Sequence, residues 1–450
     1  MKLSHALFRA LPLAAAMAFA FAPAAQAQSL VELYDAARGY DASYMSAKSQ
    51  YEANLAKANQ TLGGVLPNIA LSASATRTYF NYRPDDPSLA TPRDLYYGTG
   101  TAAVTLTQPL YRPAVWATYK QGGPLLQQAT AQYEAAEQDL LVRVSQAYFD
   151  VLTSEDSLEL VRAQKKAVGE QLASAKRNFE VGTTTITGVR DAQARFDLAT
   201  AQEIAAENDA RIKHLALDLV VGLSNATPLR LADSKQLVKA PAEDVNTWVS
   251  QSEVASPAVR QAQLALEVAK LEVDKAMAGH KPTLDAQVSY GGIRNLGGNA
   301  TGALDTHIYN PSAGLVLNLP IFSGFATDYR VKETVSLESK ARADLEAAKR
   351  NTAQSTRTAY FGLVSGLSQV QAYEAAEASS QSSLDANKLG YSVGVNINID
   401  VLNAQSQLYQ TKRDLAKARY DVLVGTLKLR QATGTLTPQD LQPINALLKP

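Results

Sequence analysis

The chain has 450 residues, with 43 Lys and Arg balancing 43 Asp and Glu, and no cysteine. Zero net charge argues against a nucleic-acid partner. The missing thiols exclude disulfides, a thiolate metal centre and a lipid-modified cysteine. The 4 histidines fall at no metal-ligand spacing, and no G-x-S-x-G, P-loop or H-E-x-x-H pattern occurs, so neither metal, cofactor nor catalytic centre has a signature.

Lys2 and Arg9 precede an apolar run from Leu11 to Ala22, and Ala25-Gln26-Ala27 follows as a small-x-small cleavage site. The run is too short to span a bilayer, so residues 1–27 are expected to be a secretory signal peptide. A helical segment is predicted roughly over Asp41–Leu62 and a strand around Asn68–Tyr82. In "YGTGTAAVTLTQPL", Val104, Leu106 and Leu110 share one side, and Thr99, Thr101, Thr105 and Thr107 the other. That is a strand with one apolar and one hydroxyl face. A long helix is predicted over 114–180, then a short turn, then a returning helix to about Val221. Gly122-Gly123-Pro124 falls inside the long helix and predicts a kink or non-helical turn there. "TPLRLADSKQLVKAPAEDVNT" is a connector.

The series then begins again. Ser256-Pro257 opens a helix that runs to Gly279. In "TLDAQVSY", Leu284, Ala286, Val288 and Tyr290 oppose Thr283, Asp285, Gln287 and Ser289. Leu315, Leu317 and Leu319 oppose Ser312 and Asn318, with Val316 as an exception. A second long helix is predicted over 324–392, and its return runs to about Gly434.

The duplication is explicit. "FEVGTTTITGVRDAQ" from Phe179 and "YSVGVNINIDVLNAQ" from Tyr391 share one pattern, with Gly182 and Gly394 lying 212 positions apart. Ala147-Tyr148-Phe149 recurs as Ala359-Tyr360-Phe361 at the same spacing. Two tandem repeats are therefore expected, 28–232 and 252–436, with a connector over 233–251 and a tail over 437–450. Val181-Gly182 and Val393-Gly394 read as helix C-termini, and Thr187 and Asp400 as N-caps of the returning helices. Val151, Leu158, Leu172 and Phe179 form a seven-residue row, matched by Leu363, Val370, Leu384 and Tyr391, which argues coiled-coil packing with a thin seam.

Strands of about ten residues suit a tilted crossing of an outer-membrane-type bilayer. Aromatics gather at both strand ends: Tyr79, Phe80, Tyr82, Tyr96 and Tyr97 at one, Tyr111, Trp116, Phe322 and Phe325 at the other. Four strands cannot close a membrane barrel, and lipid does not tolerate open edges, so several chains must share one. A soluble sandwich with one wet face and an antiparallel helical bundle are the competing readings of these elements.

The two tip sequences, the "AYF" motifs and strand-end Pro109 and Pro320 together resemble the TolC family of outer-membrane channel-tunnels. The likeness runs from "SLVELYDAARGYD" to "LQPINALLKP". The resemblance implies a mixed α and β fold. A homotrimer would form a twelve-stranded outer-membrane β-barrel, four strands per chain, continued by a twelve-helix periplasmic α-barrel with an equatorial belt. It implies an exit duct for a tripartite efflux pump or type I secretion system, without enzymatic activity. A periplasmic adaptor (membrane fusion) protein would dock on the tips at Val181, Gly182, Val393 and Gly394, and an inner-membrane RND or ABC transporter would drive transport. Asp400 matches an aperture acid, and Tyr391 and Thr187 match linking residues of the gate. Gly188, Asn396 and Asn403 stand where the family pattern has an acid, a base and a second aperture acid. A periplasmic coiled-coil adaptor, a structural protein without a pore and an exported enzyme are the alternatives. The adaptor would lack the four strands, and the enzyme would need a clustered polar site.

Overall fold

The structure, a computed structural model, describes residues 27–449 except 87, 89–91, 233–242, 301 and 303. Residues 1–26 of the expected signal peptide and 233–242 of the expected connector lie outside the described residues. In chain order the elements are α1 (Leu30–Tyr40), α2 (Ala42–Gly63), β1 (Asn68–Tyr82), β2 (Arg93–Tyr111), α3 (Pro113–Glu180), α4 (Ile186–Val221) and β3 (Arg230–Leu231). They continue with α5 (Val245–Ala255), α6 (Pro257–Met277), β4 (Thr283–Leu296), β5 (Thr306–Asn318), α7 (Ala326–Ser392), α8 (Asn398–Thr433), α9 (Leu441–Asn445) and β6 (Leu448–Lys449). The run helix, strand, strand, long helix, helix occurs twice. No described helix is long and apolar enough to cross a membrane.

One compact unit comprises the described residues of Met1–Ala47, Ala135–Ser256 and Thr352–Pro450. Its start is fixed locally. Ser29 Oγ accepts from the Glu32 N–H at 3.3 Å, and the Glu32 carboxylate accepts from the Ser29 N–H at 2.8 Å. This reciprocal cap satisfies two orphan donors of α1. Asp41 separates α1 from α2 and is nearly buried. Its carboxylate accepts from the Tyr44 N–H at 2.7 Å and, bidentately, from Arg143 at 2.9 and 3.0 Å. Those Arg143 bonds hold its pKa below the usual carboxylate range. The core is a thin seam, as the heptad rows predict. Leu363, Val370, Leu415, Ala418, Val422 and Leu429 make one cluster; Val168, Leu172, Ala175, Ala192 and Leu402 make another. From the first "AYF" motif, Tyr148 is fully buried and donates to Leu229 O at 2.7 Å. From the second, Phe361 is 58% exposed, so related sequence meets different surroundings. Short β3 pairs antiparallel with β6.

The other unit comprises Lys48–Glu134 and Pro257–Asn351. Its sheet is fully antiparallel in the order β1-β2-β4-β5. Alternation divides the sheet into two faces. One carries hydroxyl and amide rungs: Ser74 to Thr101 at 2.7 Å, Thr99 to Asn295 at 2.9 Å, Asn295 to Thr306 at 2.8 Å and Ser289 to Ser312 at 2.8 Å. The other carries Ile69, Leu71, Val104, Leu106, Val288 and Tyr290. At the foot of the sheet, nearly buried Asp285 takes a bidentate pair from Arg112, 2.6 Å in each arm. The strands β1 and β5 each keep one edge without a partner among the described residues.

The turn expected at Gly122-Gly123-Pro124 does not form: α3 runs unbroken through Pro124. Proline disfavours helix at the preceding residue by a clash with that residue's Cβ, and Gly123 has none. A Cβ at Gly122 would lie 2.7 Å from Thr61 Oγ1, so this glycine allows α2 to approach closely.

Candidate functional site

The two copies of the repeated sequence form two helix–turn–helix tips. Gly182 and Gly394 take φ of +77° and +81°, the left-handed conformation that ends α3 and α7. The chain folds back on itself at each: the Thr183 N–H donates to Asn178 O at 2.8 Å, and the Val395 N–H to Gly390 O at 2.9 Å. The tail of the pattern does the packing. Ala192 and Leu402 are fully buried, and Val401 joins Leu384 and Leu408 in a cluster against which Tyr391 and Ala404 rest. The front of the pattern is open: Val181 is 73% and Val393 66% exposed, beside exposed Val395 and Ile397. No described residue covers these apolar side chains at the turns.

Both expected N-caps are corrected. Thr185 caps α4, its hydroxyl accepting from the Gly188 N–H, while Thr187 is the second residue of the helix and bonds to Thr185 Oγ1 at 2.6 Å. The turn after Gly182 is short enough that the nearest β-region hydroxyl, at 185, reaches the orphan N–H first. Asp400 lies in the first turn of α8, three residues after Ile397, the residue at the N-cap position. Its carboxylate accepts from the Ile397 N–H at 3.2 Å. Isoleucine has no side-chain acceptor, so only this half of a capping box can form.

Of the gate candidates, the fold brings two into links between the hairpins. Tyr391 Oη accepts from Asn178 Nδ2 at 3.2 Å, joining α7 to α3. Asn403 Oδ1 accepts from Arg195 at 2.7 Å, joining α8 to α4. The others are not brought across. Thr187, Gly188 and Asp400 bond within their own turns, and Asn396 Nδ2 donates to Asn387 Oδ1 at 2.9 Å on its own hairpin. Sequence reasoning missed Asn178, Arg195 and a third link, Gln171 Nε2 to Asn398 Oδ1. Their separations, 213, 208 and 227 residues, lie near the repeat offset of 212, and that was the available signal. Higher up, Tyr420 of α8 donates to Asp156 of α3 at 2.7 Å. Burial pushes the Asp156 carboxyl above the ordinary range, while the Tyr420 hydroxyl pulls it back.

A sheet with one hydroxyl face and one lipid-compatible face, followed by very long helices packed on a thin seam and turned at apolar tips, defines an outer-membrane channel subunit. The chain belongs to the outer membrane efflux protein family, whose family model matches residues 33–223 and 248–435, one match in each half. It is 32% identical to the outer membrane protein TolC of Vibrio cholerae, over 94% of both chains. It is 28% identical to the alkaline protease secretion protein AprF of Pseudomonas aeruginosa, over 93% of this chain and 87% of the relative. The crystal structure of the outer membrane protein VceC from Vibrio cholerae shares the fold with a TM-score of 0.76. It is 18% identical and covers 90% of this chain and 96% of its own.

Proposed function

We propose that three copies of this chain form the passive outer-membrane exit duct of an efflux pump or a type I protein secretion system. A periplasmic adaptor would meet the tips, and an inner-membrane transporter would supply the energy. The observation that carries the reading is the pair of open sheet edges. β1 and β5, of 15 and 13 residues, keep their outer backbone groups unpaired among the described residues, and their side chains are largely exposed. Such edges are not tolerated in lipid, and four strands are half of the smallest membrane barrel, about eight. Closing β5 of one copy on β1 of the next, three times, removes every edge and turns the hydroxyl face inward. Helix surfaces support the same assembly: Ile212, Leu215 and Leu219 on α4 and Phe361 and Val364 on α7 are apolar and exposed among the described residues. Two helical hairpins per copy then make a closed ring.

In this reading the chain conducts rather than catalyses, as befits a family of channel proteins. The family description points to efflux and the name of the relative AprF to protease secretion, so both kinds of cargo are open to this chain. The division into repeats 28–232 and 252–436, joined by an equatorial connector and closed by the tail 437–450, suits one hairpin pair per repeat. The test is twofold. Detergent extraction of outer membranes should yield a trimer, and deletion of the gene should sensitise cells to drugs or stop secretion of a protein. A monomer confined to the soluble periplasmic fraction refutes the reading.

A further inference from the structure

The lipid-facing side of the sheet carries a basic trough near its hairpin loops. The trough's place rests on the reading above, in which the Leu/Val/Tyr face meets lipid and the β1–β2 and β4–β5 loops lie outside the cell. For most of its length that face is apolar. Near the loops, Arg77 of β1, Arg294 of β4 and His307 of β5 emerge on the same face. The register fixes this: Arg77 pairs with Gly98, Gly100 with Arg294, and Arg294 with His307. All three are exposed, and none has a hydrogen bond or ion pair among the described residues. Two rungs outward, beyond Tyr79 and Tyr96, the face differs: Asp94 accepts from Arg83 at 2.8 Å, from Asn81 at 2.8 Å and from Tyr79 at 3.2 Å. Charge is balanced on that rung and unbalanced on the trough. Arg294 stands directly opposite His307 across the β4–β5 ladder.

The floor of the trough is glycine. Between Arg77 and Arg294, β2 contributes only Gly98 and Gly100. Neither has positive φ. A Cβ at either would meet no heavy atom closer than 3.9 Å. Neither backbone nor packing requires glycine here, and glycine weakens a strand. Glycine inside a strand marks a bulge, a bend at a barrel corner or the close approach of a ligand, and the register runs unshifted through Gly98 and Gly100. A depression of about 320 Å³ adjoins this floor on the side away from Arg77, across β2, β4 and β5, lined among others by Gly100, Ala102, Gly292, Arg294, His307 and Tyr309.

We propose that the trough seats the phosphate of an outer-leaflet lipid, a phosphorylated and multiply acylated glycolipid. Arg77 and Arg294 grip the phosphate from two sides through charge-assisted bonds. His307 adds a ring N–H donor, and the glycine floor lets the headgroup lie against the strand. The acyl chains run down the face over Tyr309, Tyr290, Val104 and Leu71.

The purified full-length trimer, in detergent, is titrated with bisphosphorylated hexa-acyl lipid A, with its dephosphorylated form and with inorganic phosphate, and bound lipid is read by native mass spectrometry. The phosphorylated form should be retained on the order of tenfold better than the dephosphorylated one. Excess inorganic phosphate should not displace it, because the chains hold as well. The variant R77Q/R294Q/H307Q should lose the preference. G98L/G100L, which fills the floor without changing charge, should weaken it. Equal retention of both lipid forms by the wild-type trimer, or displacement by inorganic phosphate alone, overturns the proposal and needs no variant. A preference that survives in the charge variant overturns it too. Failure of the duct reading would show separately, as absence of a trimer that conducts in planar bilayers.

Discussion

Cutting the links between the two hairpin tips is expected to open the resting conduit. Tyr391→Phe removes the acceptor of the 3.2 Å bond from Asn178 but leaves the ring against Leu384, Val401 and Leu408. Asn403→Ala removes the acceptor of the 2.7 Å bond from Arg195. A neutral hydrogen bond contributes about 0.5–1.5 kcal/mol and one to a charged group about 1.5–3 kcal/mol. The Arg195 bond is exposed, so water competes and its contribution falls towards the neutral range. The pair together is then worth about 2 kcal/mol per chain, a factor of about 30 in the closed-to-open equilibrium. Three chains that move together multiply the effect. The assay is single-channel conductance in a planar bilayer, with trimer assembly checked by crosslinking. The double variant should show a much larger open fraction than wild type, and each single variant an intermediate one. An intact trimer whose double variant conducts like wild type would refute the role of these links. So would opening that appears only when trimers fall apart.

Asp400→Ala should lower cation selectivity and weaken block by divalent or trivalent cations while trimers persist; unchanged values would leave Asp400 as a helix-start residue bonded to Ile397. Block in the wild type should already be modest, because Asn403 supplies no second acidic ring. Gly182→Leu with Gly394→Leu forces side chains into the left-handed region, which costs roughly 1–2 kcal/mol at each site. That should weaken adaptor binding in a pulldown, and loss of the trimer instead would make these glycines purely structural. Tyr420→Phe should destabilise the helical region by about 1 kcal/mol at neutral pH, because the half-buried Asp156 carboxylate loses its donor. Asp156 already sits above its unfolded value, so its ionisation costs stability as pH rises through the folded pKa. Without the tyrosine hydroxyl that value climbs further. The deficit of the variant should therefore shrink on acidification, as the carboxyl protonates, and a deficit constant across pH 7 to 4 in denaturant titrations would count against the assignment.

Local rules carried much of this protein. Period-two alternation in "TLDAQVSY" and "YGTGTAAVTLTQPL" placed two strands and their faces, because one residue's direction follows from its neighbour's along a pleat. The duplicated V-G turn located both hairpin tips, because only glycine enters the left-handed region at little cost. Pro257 opens α6 as its sequence reads, but the N-caps of α4 and α8 fall at Thr185 and Ile397 rather than Thr187 and Asp400. Thr185, Thr187 and Asp400 all have acceptors suited to a cap, and only the path of the turn decides which one meets a free N–H. Pro124 was misjudged because its neighbour's missing Cβ and the close passage of α2 over Gly122 outweigh the usual penalty. The bonds that tie one repeat to the other, Asn178 to Tyr391, Arg195 to Asn403 and Arg112 to Asp285, depended wholly on the fold. Each joins residues more than 170 positions apart, and no short-range preference encodes which side chains will meet across that distance. The sequence determined the elements, their duplication and their faces, since these follow from spacing along the chain. Tertiary structure alone decided which polar groups find partners and which, like Arg77, Arg294 and His307, are left facing outward with no side-chain partner among the described residues.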